Sequence, residues 1–146
     1  MGQPLTILVA EDEEGDALLL KMAFKRAASP HVLKIVHDGQ EVVDYLTGEA
    51  PYNDRSQNPL PALVLLDLKM PRMTGFDVLA WLAEQPKFKT LPTIVLSSST
   101  QESDIQRART LGALEYYVKP TEFSALVTLT KVFHTRWLES MAVTPP

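Results

Sequence analysis

Four short apolar runs in this chain each lead directly into residues that can carry charge or donate a hydrogen bond. Thr6-Ile7-Leu8-Val9-Ala10 leads into Glu11 and Asp12, Leu63-Val64-Leu65-Leu66 into Asp67, Thr93-Ile94-Val95-Leu96 into Ser97, and Glu115-Tyr116-Tyr117-Val118 into Lys119. Three carboxylates, a hydroxyl and an ammonium form a coherent chemical set if the fold gathers them. Crowded carboxylates repel one another unless a cation joins them or one keeps its proton. An all-oxygen set without His or Cys selects a hard ion, Mg2+ or Mn2+, that tolerates retained waters. A carboxylate-bound cation with a lysine and a hydroxyl opposite has a phosphoryl group as its natural ligand. The ion would take one phosphoryl oxygen, Lys119 a second, and Ser97 with backbone amides the third. Aspartate is also a nucleophile that forms acyl phosphates, and phosphoryl transfer rests mostly on positioning and charge neutralisation. Taken singly, Asp67 reads as a loop cap, Ser97 as a loop serine and Lys119 as a strand-end lysine. Only their joint placement carries chemistry.

That placement depends on the elements between them. Leu63 to Leu66 shows no alternation of apolar and polar residues, which suits a strand buried on both faces of a parallel sheet. Pro71 and Gly75 then break any extended structure. Asp16 to Ala28 reads as a helix with Leu20, Phe24 and Ala27 on one stripe, acids at its start and Lys25 and Arg26 near its end, as the helix dipole favours. Val32 to Val36 is a further strand. Capping spacings at Asp38/Glu41, Thr74/Asp77 and Ser99/Glu102 open three helices; the first ends at Gly48, and Pro86 lies just beyond the second. Thr121 caps a last helix to about Glu139, and Ser140 to Pro146 reads as a frayed tail. Glu49 to Pro61 has no period and is a loop, longer than most inside compact domains. Strand and helix alternate five times, so the sheet is parallel with helices on both faces, and right-handed crossovers leave few topologies. All strand ends then share one edge, where open α/β sheets bind ligands. If the first strand lies between the second and third, a crevice opens there beside Asp12 and Asp67.

At 146 residues the chain suits one domain with a real core. A net charge of −4 disfavours sequence-independent nucleic-acid binding, which needs surplus Lys and Arg. The absence of cysteine removes disulfides, thiol catalysis and thiolate zinc sites. No apolar run approaches the roughly 20 residues that span a bilayer, and the start of the chain lacks a signal-peptide pattern. The expectation is a cytoplasmic domain with no membrane contact and no direct DNA binding.

The runs Val9-Ala10-Glu11-Asp12, Leu65-Leu66-Asp67-Leu68-Lys69-Met70-Pro71, Leu96-Ser97-Ser98 and Tyr116-Tyr117-Val118-Lys119-Pro120 resemble the receiver domain of two-component response regulators. The likeness spans Leu5 to Glu139, with the motifs in order. It implies a flavodoxin-like five-stranded sheet of order 2-1-3-4-5, the order described for a chemotaxis regulator of this family. It makes residues 5–139 the receiver and 140–146 a C-terminal tail, with no output domain. It implies that Asp67 is the phospho-acceptor from a histidine kinase, and that Asp12 ligates Mg2+ (or Mn2+) directly while Glu11 acts through water. Lys69 would contribute its backbone carbonyl. Ser97 would be the switch hydroxyl, Tyr116 the aromatic that moves inward with it, and Lys119 the phosphate-binding lysine, joined to Pro120 by a cis bond. Two departures from the commoner pattern, Glu11 for Asp and Ser97 for Thr, keep the chemistry. Lys69 and Ser99 fall where relatives tune dephosphorylation. The long loop and Trp137-Leu138 late in the last helix look like the stand-alone regulators that work with bacterial phytochrome kinases.

The competing reading is a phosphohydrolase with an Asp nucleophile. Such enzymes want a second Asp two residues later as acid and base, where this chain has Lys69. His31, His37 and His134 show no ligand spacing and read as surface residues, and Met70 and Met73 as packing residues. In the last helix Leu126, Thr130, Phe133 and Trp137 form one stripe and Leu129 and Val132 another. A helix apolar on two sides has either a wide core face or a partner surface. The partner reading is a homodimer near the fourth and fifth helices.

Overall fold

The structure is a computed structural model that describes residues 4–142. Five parallel strands, β1 (Thr6–Ala10), β2 (Val32–Val36), β3 (Leu63–Leu66), β4 (Thr93–Ser97) and β5 (Glu115–Val118), pair in the order β2-β1-β3-β4-β5. The helices are α1 (Glu14–Arg26), α2 (Gly39–Thr47), α3 (Gly75–Ala83), α4 (Glu102–Thr110) and α5 (Phe123–Phe133), with a short 3-10 turn at Pro86–Phe88. This is the flavodoxin-like doubly wound arrangement. The switch in strand order falls between β1 and β3, whose register sets Ala10 opposite Leu66.

The unbroken apolar runs supply both faces of the sheet. On one face Leu8, Ala10, Val64, Leu66 and Val95 pack with α2, α3 and α4; on the other Ile7, Val9, Leu63, Leu65, Ile94 and Leu96 pack with α1 and α5. Alternate residues point to opposite faces of a strand, so a strand covered on both sides needs apolar residues throughout. Met70 joins the first core and Met73 packs against it.

Local signals fix most boundaries. The Thr74 side chain accepts from the Asp77 amide and the Asp77 carboxylate accepts from the Thr74 amide, a complete capping box. Asp38 accepts from the Glu41 amide, but Glu41 reaches back to the His37 amide, one residue beyond the expected partner. Two expected caps do not form. Ser99 Oγ donates to Asp104 and accepts from the Gln101 amide, leaving Gln101 as an uncapped start for α4. α5 starts after Glu122 without a side-chain cap from Thr121. α1 begins two residues ahead of the expected Asp16.

The end of the chain also differs from expectation. α5 continues through a π segment (His134–Leu138) into a last α turn (Glu139–Ala142), so Ser140, Met141 and Ala142 are helical. The remaining tail residues, 143–146, lie outside the described residues. Phe133 and Leu138 are both fully buried although five residues apart. The wide turn, closed by the Glu139 amide on the His134 carbonyl, lets both meet the core. The loop before β3 is well anchored. Arg55 donates to the carbonyls of Tyr45 and Leu46 at 2.7 and 2.9 Å, satisfying the orphan end of α2, and Tyr45 OH donates to the Pro59 carbonyl. Among the described residues no helix is long and apolar enough to cross a membrane.

Candidate functional site

The carboxyl ends of β1, β3, β4 and β5 bring the expected residues to one edge. Glu11 follows β1, with its amide on the Val36 carbonyl and its Oε2 accepting from the Glu13 amide at 3.1 Å. Asp67 follows β3; its amide donates to the Ala10 carbonyl, and its Oδ1 accepts from the Leu68 amide at 2.7 Å. Both side chains are buried, and Asp12 is half-buried. Carboxylate oxygens of Glu11, Asp12 and Asp67 all lie within 4.8 Å of one another. Lys119 is fixed beside β4 by its amide on the Ser97 carbonyl. Its Nζ donates to Asp67 Oδ2 at 3.1 Å, to Asp16 Oδ2 at 3.0 Å, and to Glu11 Oε1.

One ammonium therefore pairs with three carboxylates, Glu11, Asp16 and Asp67, while Asp12 adds a fourth to the cluster. The imbalance shows in the titration of the pocket. Burial pushes the Glu11 carboxyl up, the Lys119 hydrogen bond opposes it, and the Asp67 charge adds to the rise, leaving it at about 7. Burial works to lower the Lys119 ammonium, but the hydrogen bond to Glu11 and the charge of Asp67 outweigh it, and its pKa is raised. Both groups move toward holding a proton, Glu11 mainly through burial and Lys119 through the carboxylates around it. An all-oxygen donor set whose buried member retains a proton fits a hard divalent ion, which would replace that proton.

Ser97 is buried at the end of β4, its Oγ accepting from the Ser99 amide at 3.2 Å. Tyr116 already lies inward, buried, with its hydroxyl donating to the Ser99 carbonyl at 2.8 Å. Ser97 and Tyr116 thus meet through Ser99 rather than directly. The Lys69 side chain points into solvent, which keeps it out of the acidic cluster. The expected cis bond before Pro120 is absent. The Lys119–Pro120 bond is trans, the lower-energy form of an X–Pro bond, and the cis bond among the described residues joins Ala50 to Pro51. Gly75 is required where the loop after Asp67 closes: a Cβ there would stand 2.3 Å from the Asp67 carbonyl oxygen. The same loop is tied to the start of α2 by Arg72, whose guanidinium donates to Asp38 Oδ2 at 2.8 Å.

The response regulator receiver domain model matches residues 7–131. The chain belongs to the response regulator receiver domain family. Receivers of this family are signalling domains of two-component systems. The chain is 30% identical to the response regulator Rcp1 of Synechocystis over 96% of its own length and 93% of that protein. It superposes on the response regulator RPA3017 in red light signaling of R. palustris with a TM-score of 0.88, at 35% identity, covering 97% of this chain and 98% of the other. The phosphorylated cyanobacterial phytochrome response regulator RcpA gives 0.84 at 34% identity, covering 98% and 99%. Receivers bind Mg2+ or Mn2+ at an acidic pocket, and Rcp1 has a Mn2+-bound structure.

Sequence reasoning missed two parts of this receiver. Asp16 opens the helical pattern, yet it lies one turn ahead of Leu20 and two turns ahead of Phe24, both buried in the core. An acid at the head of an inward stripe was a readable signal. The Arg72–Asp38 pair joins residues 34 apart and left no local trace. His31 and His134 are a correction rather than an omission. His31 is buried, and its Nε2 lies 3.0 Å from His134 Nδ1, while its Nδ1 accepts from the Leu5 amide. The Leu5 bond requires an unprotonated Nδ1, so His31 is the donor to His134. Burial, and then the His134 charge, lower its pKa.

Proposed function

We propose that Asp67 accepts a phosphoryl group from a histidine kinase and that the protein signals through the resulting change in its binding surface. The observation that carries this reading is the hydrogen bond from Lys119 Nζ to Asp67 Oδ2 inside a buried all-oxygen cluster. A carboxylate oxygen of Asp67 would form the new O–P bond as the P–N bond to the donor imidazole breaks. Lys119 is close enough to Asp67 to neutralise charge on the incoming phosphoryl group, and Glu11, Asp12 and Asp67, with the Lys69 carbonyl, would hold Mg2+ or Mn2+. That ion, when bound, offsets the negative charge gathered at the acceptor. Ser97 would turn its hydroxyl to the phosphoryl group, releasing the Ser99 amide. The Ser99 carbonyl, already bonded to Tyr116, makes the segment between β4 and α4 the natural relay.

Residues 5–139 act as the receiver in this reading, in the cytoplasm and without direct contact with DNA. The likeness to RcpA and Rcp1 supports a bacterial phytochrome as the kinase partner. Half-buried Leu129, Val132 and Trp137 support a homodimer through the C-terminal helix region. The test is incubation with Mg2+ and a small acyl-phosphate donor, followed by intact mass measurement. One phosphate adduct is expected, and it should vanish in Asp67→Asn. Sustained turnover of simple phosphate esters would refute the reading and favour a hydrolase.

A further inference from the structure

Lys119 Nζ has three hydrogens and three carboxylate partners, Glu11, Asp67 and Asp16. Two of them, Glu11 and Asp67, belong to the acidic cluster that suits a cation. Any ion or phosphoryl group that engages these two draws them from the lysine. Asp16 stands outside that cluster, on the first turn of α1, and α1 is locked to the core by Ala17, Leu20 and Phe24. Asp16 and Lys119 line one small cavity with Leu19, Leu20, Leu96 and Leu126. The lysine head thus has one anchor that the reaction does not consume.

We propose that Asp16 is a positioning residue, a tether that keeps the Lys119 ammonium over Asp67 once Glu11 and Asp67 turn to their other partners. The inference rests on reading Asp67 as the phospho-acceptor, and it adds a function for a carboxylate outside the receiver motifs. Asp16 is partly exposed, with 45% of its side chain accessible, so the tether is modest, and loss of such a charge pair corresponds to about a fivefold effect.

Two readouts test it. In the first, amine-reactive labelling of Lys119 is followed by peptide mass spectrometry with and without MgCl2. Wild type should stay protected in both, whereas Asp16→Ala and Asp16→Asn should label about fivefold faster when MgCl2 is present. Asp16→Glu should restore protection. Glu14→Gln, which removes an equal charge from the same exposed turn without touching Lys119, should match wild type. In the second, the maximal rate of phosphorylation by an acyl-phosphate donor should fall about fivefold in Asp16→Ala with the half-saturating donor concentration unchanged. Labelling of Asp16→Ala at the wild-type rate in MgCl2 overturns the tether, as does an equal effect in Glu14→Gln. If no phosphate adduct forms in wild type while the labelling pattern holds, the acceptor reading fails and the tether stands.

Discussion

A proton on Glu11 removes negative charge that a divalent ion in the acidic cluster would need, so cation affinity should depend on pH through that group. The Glu11 carboxyl is held at about 7, mainly by burial. It is then about one-tenth ionised near pH 6 and about nine-tenths ionised near pH 8. The proton must leave before the ion binds, so affinity is lost as pH falls through the folded value and is nearly complete above it. The ratio of ionised fractions gives Mg2+ binding about tenfold tighter near pH 8 than near pH 6, or about 1.4 kcal/mol. Isothermal calorimetry in pairs of buffers with different ionisation heats reads both affinity and protons released. Close to one proton per ion should be released near pH 6, and few near pH 8. Glu11→Gln should bind more weakly at both values and lose the pH dependence. Equal affinity at the two pH values, or a dependence that survives in Glu11→Gln, would refute the reasoning.

Gly75→Ala should destabilise the fold by at least about 2 kcal/mol in urea denaturation, because its Cβ would press on the Asp67 and Leu68 backbone, which cannot give way as a side-chain tip could. The His31 and Glu11 contributions to stability oppose each other. His31 is depressed in the fold, so its contribution is present above the unfolded value near 6.5 and lost as pH falls below it; Glu11 is raised, so its contribution is present below about 4.5 and lost as pH rises through about 7. Thermal melts across this range should therefore show His31→Gln flattening the acid side of the stability profile and Glu11→Gln flattening the neutral side. The reverse assignment would sink both.

The sheet was legible because its strands are short apolar runs bounded by charge, and β2 and β5 match their expected limits residue for residue. The strand-end chemistry followed from parallel geometry alone: once the strands share a direction, Glu11, Asp12, Asp67, Ser97 and Lys119 must share an edge. What stayed hidden was decided by competition or distance. Ser99 has the spacing of a cap, but its oxygen accepts from the Gln101 amide, ahead of α4, while its hydrogen goes to Asp104, so Gln101 opens the helix without a side-chain cap. His31 and His134 stand 103 residues apart, and no local period can announce their contact. The cis bond expected before Pro120 came from likeness rather than from any residue that would enforce it, and the trans form prevails.

The wide turn after Phe133 sets the phase of everything that follows. In an unbroken α-helix, residues five apart differ by about 140° around the axis, so Phe133 and Leu138 would face different surroundings. The π segment absorbs that mismatch as if one residue had been inserted into an ordinary helix. Every side chain from Glu139 onward inherits the shift, including Met141, which lines a groove with Leu60, Phe88 and Leu91 at the opposite edge of the sheet from Asp67. An ordinary α turn at the same chain length would rotate Leu138 and the last turns by about 100° and carry Met141 away from the groove, whereas removing one residue between Phe133 and Leu138 would give a regular helix that keeps their phase.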